Sequence, residues 1–427
     1  MIILQNVATF RIHWSCLYNP EAYRLILITS SANYERLLAS EQEQFFDKVI
    51  RTDDFSLDNL VTISQQVLRA FDITDLGDVR IVTHDEYSLG VAAQLRAALG
   101  VEGAHPEDLR PFVDKLEMKR ALEGKGIRMP RHLPWNPQLY RRDPEAYLRH
   151  VEHTLSLPIF VKPLNESGSV GTAKLNTREQ LAAWCEAHLD QSGYEMDEWI
   201  TGTLYHCDSI IRDGRVLYTH VSEYAHPCYD YLSGKICATI TLPKDSQDFA
   251  RLSAFTERVL DAIEQKPRDT VTHLEVFRKP DDELVFLEIA ARAPAGMVPY
   301  TYAKHLGLNI EEAHFRLHMG ILDDLKIEYG PYAAFVYFPH RAGVVTALHQ
   351  PVLRSNAEIS WKINVGDRLV NPENIRDTAC TVLLWNDDYD ELRRDFAYLD
   401  QFEAFSVTQE DDQALQVGES LEEMYAS

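Results

Sequence analysis

Apolar positions in the first hundred residues alternate between short continuous runs and helical spacing. RLILITS (24–30) and DVRIVTH (78–84) are runs bounded by polar residues, the pattern of buried strands. EYSLGVAAQLRAALG (86–100) is rich in Ala and Leu and stops on Gly100, which predicts a helix. Strand and helix in alternation predict a small open α/β domain over residues 1–111. That segment holds neither GxGxxG nor GxxxxGK[ST], so its pattern alone assigns it no nucleotide.

After Pro111, FVDKLEMKRALEGKGIRMP predicts one helix closed by Gly124 and Gly126. LPIFVKP (157–163) predicts a strand running into the polar loop LNESGSVGT, and EMDEWITGTLYHCDSII (195–211) a connector feeding another strand. In SQDFARLSAFTERVLDAIEQ, Leu252, Phe255, Val259 and Ile263 form one helical stripe. HLEVFRKPDDELVFLEIA (273–290) predicts a hairpin. From AAFVYFPH (333–340) onward come further short strands, a small β-rich unit over 331–427 whose tail after about 408 is acidic. A chain of 427 residues has room for about three domains of roughly 150 residues each.

Charge narrows the partners. With 42 basic and 66 acidic residues, the formal charge is −24, and no basic stripe stands out. Such a field repels nucleic acid and anionic membrane surfaces, though a few local cations suffice for a nucleotide. No run of 18 apolar residues occurs, so no membrane span is expected. The N-terminus lacks the basic region of a signal peptide, and the six cysteines are scattered without a CxxC pair. A reducing, cytoplasmic setting fits best.

The hairpin carries the strongest chemical signal. A two-residue turn at Asp281 and Asp282 would place Glu275 opposite Glu288, with Phe277 opposite Phe286 as the next pair on the same face. Like charges facing across a ladder are destabilising alone, whereas a divalent cation turns the pair into a site. Continued alternation would bring Ala290 and Arg292 to that face, with Arg292 able to stabilise a phosphate or oxyanion. The alternatives are a solvated face with two unrelated glutamates and a surface ion pair for Arg292. FVKPLNESGSVG is a second constellation: Lys162 at a strand end and a loop from Ser167 through Gly168, Ser169 and Val170 to Gly171 can cradle phosphates, though many strands end in Lys-Pro and a polar turn. Lys115, on its helix, is either a third cation or simply solvated.

In order along the chain, these pieces resemble the ATP-grasp superfamily, and within it the carboxylate–amine ligases that join amino acids. The resemblance covers about Phe112 to Leu322. It implies an α/β (α+β grasp) fold: an N-terminal open α/β domain, a two-part core over 112–330 with a lid at about 130–200, and the C-terminal unit. It also implies Lys115 and Lys162 as ATP lysines and a hinge at EMDEWITG, where Glu198, Trp199 and Ile200 border the adenine. His206 and Asp208 fall near the ribose, although Leu204 stands where many members have Glu. Glu275, Glu288 and Arg292 match the metal hairpin, with Ala290 where Asn is frequent. SEYAHPC offers Glu223 and His226, resembling a substrate-side pair of L-amino-acid ligases; the alternative is a surface Glu and a packed His.

The cofactors implied are ATP and Mg²⁺ (or Mn²⁺). The substrates implied are a small-molecule carboxylate and an amine, amino acids by resemblance; a homodimer is an expectation of the family alone. The carboxylate would attack the γ-phosphate, and an amine would displace phosphate from the acyl phosphate while the 165–171 loop excludes water. Two other readings stay open: an ATP-grasp ligase of purine or cell-wall synthesis, and a nucleotide-binding fold without catalysis.

Overall fold

The computed structural model describes residues 1–166, 168–322 and 325–408. Four parallel strands open the chain, in the order Lys48–Arg51, Ile26–Thr29, Ile2–Gln5, Ile81–Thr83. Two of them match the expected runs. The other two, Ile2–Gln5 and Lys48–Arg51, are strands that the sequence pattern did not single out. The helix Leu89–Leu99 stops as expected, with Gly100 at φ +71° satisfying a left-handed cap. Asp85, which is fully buried, accepts from the backbone N–H groups of Asn6, Val7 and Tyr87 and so ties the two loops at the strands' C-terminal ends.

The expected single helix after Pro111 is two helices, Pro106–Val113 and Lys115–Leu122. Asp114, in extended conformation, separates them, and its carboxylate caps the second by accepting from Leu116 and Glu117 N–H. That break sets Lys115 on the first turn of a new helix and turns its side chain inward. The lid is a four-stranded antiparallel sheet, ordered 132–134, 194–198, 159–163, 173–175. Helices Pro144–Leu155 and Arg178–Ala187 bury Val151, Leu155 and Leu181 against it.

An eight-stranded sheet forms the centre, ordered 284–290, 270–278, 203–212, 215–224, 237–241, 332–339, 378–386, 356–361. Cys237–Thr241 pairs antiparallel with Tyr332–Pro339, so three strands beyond 330 extend the central sheet, while 368–369, 343–348 and 405–408 form a small three-stranded sheet of their own. The helix Gln247–Ala262 packs on one face through Leu252, Phe255 and Val259, with Ile263 just beyond its end, as its stripe requires. The helix Val298–Leu306 covers part of the other face. All six cysteines are free, and among the described residues no helix is long and apolar enough to cross a membrane.

Candidate active site

Glu275 and Glu288 face each other across the hairpin, but the route to that register differs from the expected one. The Lys279 N–H donates to the Glu283 carbonyl, closing a three-residue loop with Asp282 at φ +67°. The pairs next to the turn are therefore Arg278 with Leu284 and Phe277 with Val285. A bulge at Leu287 then adds one residue and restores the Glu275–Glu288 pairing. Phe286 consequently lies opposite Val276 on the far face, not opposite Phe277. The two departures cancel at the glutamates.

One face of the central sheet, where the helix Val298–Leu306 leaves it open, floors a cleft of about 660 Å³. Glu275, His273 and Glu288 line it. The Tyr224 hydroxyl donates to Glu275 Oε1 at 2.8 Å. Glu288 lies 3.7 Å from Lys115 Nζ. Burial works against its charge, but Lys115, Lys162, His273 and Arg292 together hold its carboxyl below the usual range.

The lysines are anchored differently. Lys115 Nζ donates to the Glu166 carbonyl at 2.7 Å, joining the helix start to the phosphate loop. Lys162, 4% exposed, lies 3.3 Å from Glu195 and 3.1 Å from Asp197. Lys119 reaches the same two carboxylates from the other side, completing a buried quartet of two cations and two anions. Burial opposes the Lys162 charge, yet Asp197 and Glu195 outweigh it and raise its pKa well above normal. Asp197 is depressed in return by both lysines despite its own burial.

The loop after Lys162 passes over the cleft. Gly168, Ser169 and Gly171 all have positive φ, and the Thr172 hydroxyl donates to the Ser169 carbonyl at 2.9 Å. Gly168, Ser169 and Val170 face the cleft, as do Glu198, Trp199 and Ile200 at its rim. Arg292 enters from beyond the hairpin strand, paired with Glu86 of the N-terminal unit and donating to the Ala293 carbonyl at 3.0 Å. Burial is again outweighed, here by Glu86, and the guanidinium stays charged.

Residues 122–302 match the family described as the D-ala D-ala ligase C-terminus. The L-arginine-specific L-amino acid ligase of Bacillus subtilis is 25% identical over 356 residues, covering 75% of this chain and 82% of that one. A D-alanine–D-alanine ligase of Pseudomonas putida is 31% identical over 157 residues, 35% of this chain and 46% of its own length. The fold is that of an L-amino acid ligase structure from Bacillus licheniformis, with a TM-score of 0.71 at 13% identity over 96% of this chain and 99% of that one. A carboxyaminoimidazole ribonucleotide synthase from Aspergillus clavatus complexed with ATP gives 0.65 at 14% identity, over 93% and 97%. Together these likenesses support an ATP-grasp carboxylate–amine ligase.

Several expected positions in the ligase lie elsewhere. His206 and Asp208 are both 0% exposed and do not line the cleft. Their strand does share the cleft face, His206 beside Glu275 and Asp208 beside His273, but the helix Val298–Leu306 covers them there. Asp208 accepts from His206 Nδ1 at 2.7 Å, His273 Nδ1 at 2.6 Å and the Tyr302 hydroxyl. They hold His273 rather than a ribose. Glu223 and His226 are a second correction, because the strand Arg215–Tyr224 turns Glu223 away from the face that Tyr224 occupies. Both reach the helix Tyr389–Gln401 or its end, Glu223 to Arg393 at 2.5 Å and His226 to Asp400 at 2.6 Å. Gly171 does not line the cleft, and a Cβ there would sit 3.0 Å from the Pro163 ring. Ser167 lies outside the described residues.

Sequence reading passed over the residues that support this site. Alternation would have found three of them. Glu195 and Asp197 lie two apart on a strand whose partner carries Lys162, and His273 lies two before Glu275. Burial disfavours a charged His273, but Asp208 and Glu275 outweigh it and raise its pKa to about 9. Glu86 and Tyr224 left no local signal, since each meets its partner across more than 50 residues of sequence.

Proposed function

We propose that the ligase joins a carboxylate to an amine at the expense of ATP, through an acyl phosphate. The observation that carries this reading is the opposed pair Glu275 and Glu288 sharing one cleft with Lys115, Lys162 and Arg292. Adenine would lie at the rim formed by Trp199 and Ile200, and the phosphates beneath Gly168, Ser169 and Val170. Glu275 and Glu288 suit Mg²⁺ or Mn²⁺, being hard oxygen donors whose mutual repulsion a dication relieves. When bound, such an ion would neutralise phosphate charge.

The residues of the chain account for the remaining steps. A substrate carboxylate oxygen attacks the γ-phosphorus, and the bond to the bridging oxygen of ADP breaks. Lys115 and Lys162 stabilise the charge spread over the transferring group. The amine nitrogen then attacks the acyl carbon, phosphate leaves with the C–O electron pair, and the nitrogen loses a proton. Arg292 holds the oxygen that becomes an oxyanion in that step. The loop, pinned by Lys115 and by the Tyr87 hydroxyl on Glu166 at 3.2 Å, shields the acyl phosphate from water.

Amino acids are the proposed substrates, because the ligases of B. subtilis and P. putida named above act on them. Incubation with Mg²⁺-ATP and pooled amino acids, followed by ADP measurement and product mass, tests the reading. ADP together with a condensed product supports it. ATP that raises the melting temperature without any turnover argues for binding alone.

A further inference from the structure

The two halves of the cleft neutralise their cations in different ways. In the phosphate half, Lys115 pairs with Glu288, and Lys162 with Glu195 and Asp197. In the opposite half, Arg11 and Lys362 have no carboxylate ion pair among the described residues. The Arg11 side chain donates only to carbonyls, those of Gly296 at 2.9 Å and of Thr9. Lys362 comes from the C-terminal unit and sits over the Tyr337 ring at 5.7 Å. The same ring borders Gly296, where a Cβ would lie 3.4 Å from the Tyr337 hydroxyl. Arg11 and Lys362 thus converge from two parts of the chain on one wall, where burial and then the nearby Arg11 disfavour the Lys362 charge. At the rim, Arg36 and Arg376 donate to Asn33 and Asn374 rather than to acids.

Two cations on one wall of a cleft, without carboxylate partners among the described residues, repel each other, and an anion arriving between them relieves that repulsion. Glu311 is a cleft-lining acid that acts on Arg11. It is buried, with its Oε1 on the Arg11 backbone N–H at 2.8 Å, and burial pushes its carboxyl up to about 7. It offsets the guanidinium only in part. We infer that this half of the cleft recognises a second anionic group on the carboxylate substrate, so that the acid activated is an acidic amino acid or a phosphorylated one. Arg292 would take the carboxylate that is phosphorylated, and Arg11 with Lys362 the remote anion. This rests on the ligase reading above. It also sets the chain apart from its B. subtilis relative, since a substrate guanidinium would be repelled here.

Hydroxylamine trapping of the acyl phosphate isolates acid selection from amine selection. The wild-type protein, with Mg²⁺-ATP and hydroxylamine, is given matched acids: glutamate and glutamine, aspartate and asparagine, phosphoserine and serine, and arginine. The inference expects kcat/KM for hydroxamate to favour one acidic member over its neutral partner by at least about tenfold. The phosphoserine pair separates phosphate from carboxylate recognition. Lys362→Glu and Lys362→Met, at an exposed position, should reduce that ratio about tenfold through KM. Hydroxamate formed equally well from neutral acids or arginine would overturn the inference and leave the ligase reading standing. No hydroxamate and no ADP with any acid would overturn both.

Discussion

Glu288 faces a carboxylate across the ladder, a lysine at 3.7 Å and a cleft, and its side chain is 36% exposed. A group so placed serves chemistry more than folding. Glu288→Gln should lower ADP release by at least about a hundredfold, because it removes one of two hard anionic donors. Its melting temperature should stay within a few degrees of wild type; a large drop would recast Glu288 as a structural residue. Glu311 behaves in the opposite sense. Its carboxyl rises from the usual 4.5 to about 7 on burial, with Arg11 offsetting only part. Between those values the folded chain binds more protons than the unfolded one, so stability falls as pH rises from about 4.5 to about 7. The full loss is on the order of 3 kcal/mol. Glu311→Gln keeps an acceptor for the Arg11 N–H, and calorimetry should find it more stable than wild type at pH 8 and equal at pH 4. Equal stability at both pH values would refute the assignment.

At the scale of elements, the glutamate pair was legible in the sequence because alternation and a short Asp-Asp turn both point to it. The turn itself was misread by one residue, and the bulge at Leu287 compensated. No local pattern announces a bulge, since it answers to packing on both faces of the sheet. Alternation also held the signal for Glu195 and Asp197, which needed only the pairing of their strand with Lys162. That quartet is buried, so Lys119→Met leaves two carboxylates sharing one lysine and should cost about 3–5 kcal/mol, read as a lower urea midpoint. An unchanged midpoint would show that water reaches the carboxylates. The hinge carries a steric constraint too. A Cβ on Gly202 would lie 2.3 Å from the Arg278 carbonyl oxygen, so Gly202→Ala must displace a central strand. A loss of at least about 2 kcal/mol is expected in the same measurement.

Across the whole molecule, sequence patterns marked three regions but not how they share a sheet. The strand Tyr332–Pro339 pairs with Cys237–Thr241, a contact between segments some 90 residues apart that no periodicity encodes. His206 and Asp208 were misplaced for the same reason, because the helix that covers them, Val298–Leu306, is distant in sequence. Residues 1–330 produced alone should therefore fail to unfold cooperatively in urea, since the cut exposes the edge of Cys237–Thr241. A cooperative transition would establish 330 as a true domain boundary. The central claim is that all parts converge on one cleft to make an acyl phosphate. Carboxylate labelled with ¹⁸O, supplied with Mg²⁺-ATP and an amine, tests this most directly. The account predicts one labelled oxygen transferred to inorganic phosphate for each amide formed and each ADP released. Unlabelled phosphate, or AMP and pyrophosphate in place of ADP, would contradict it.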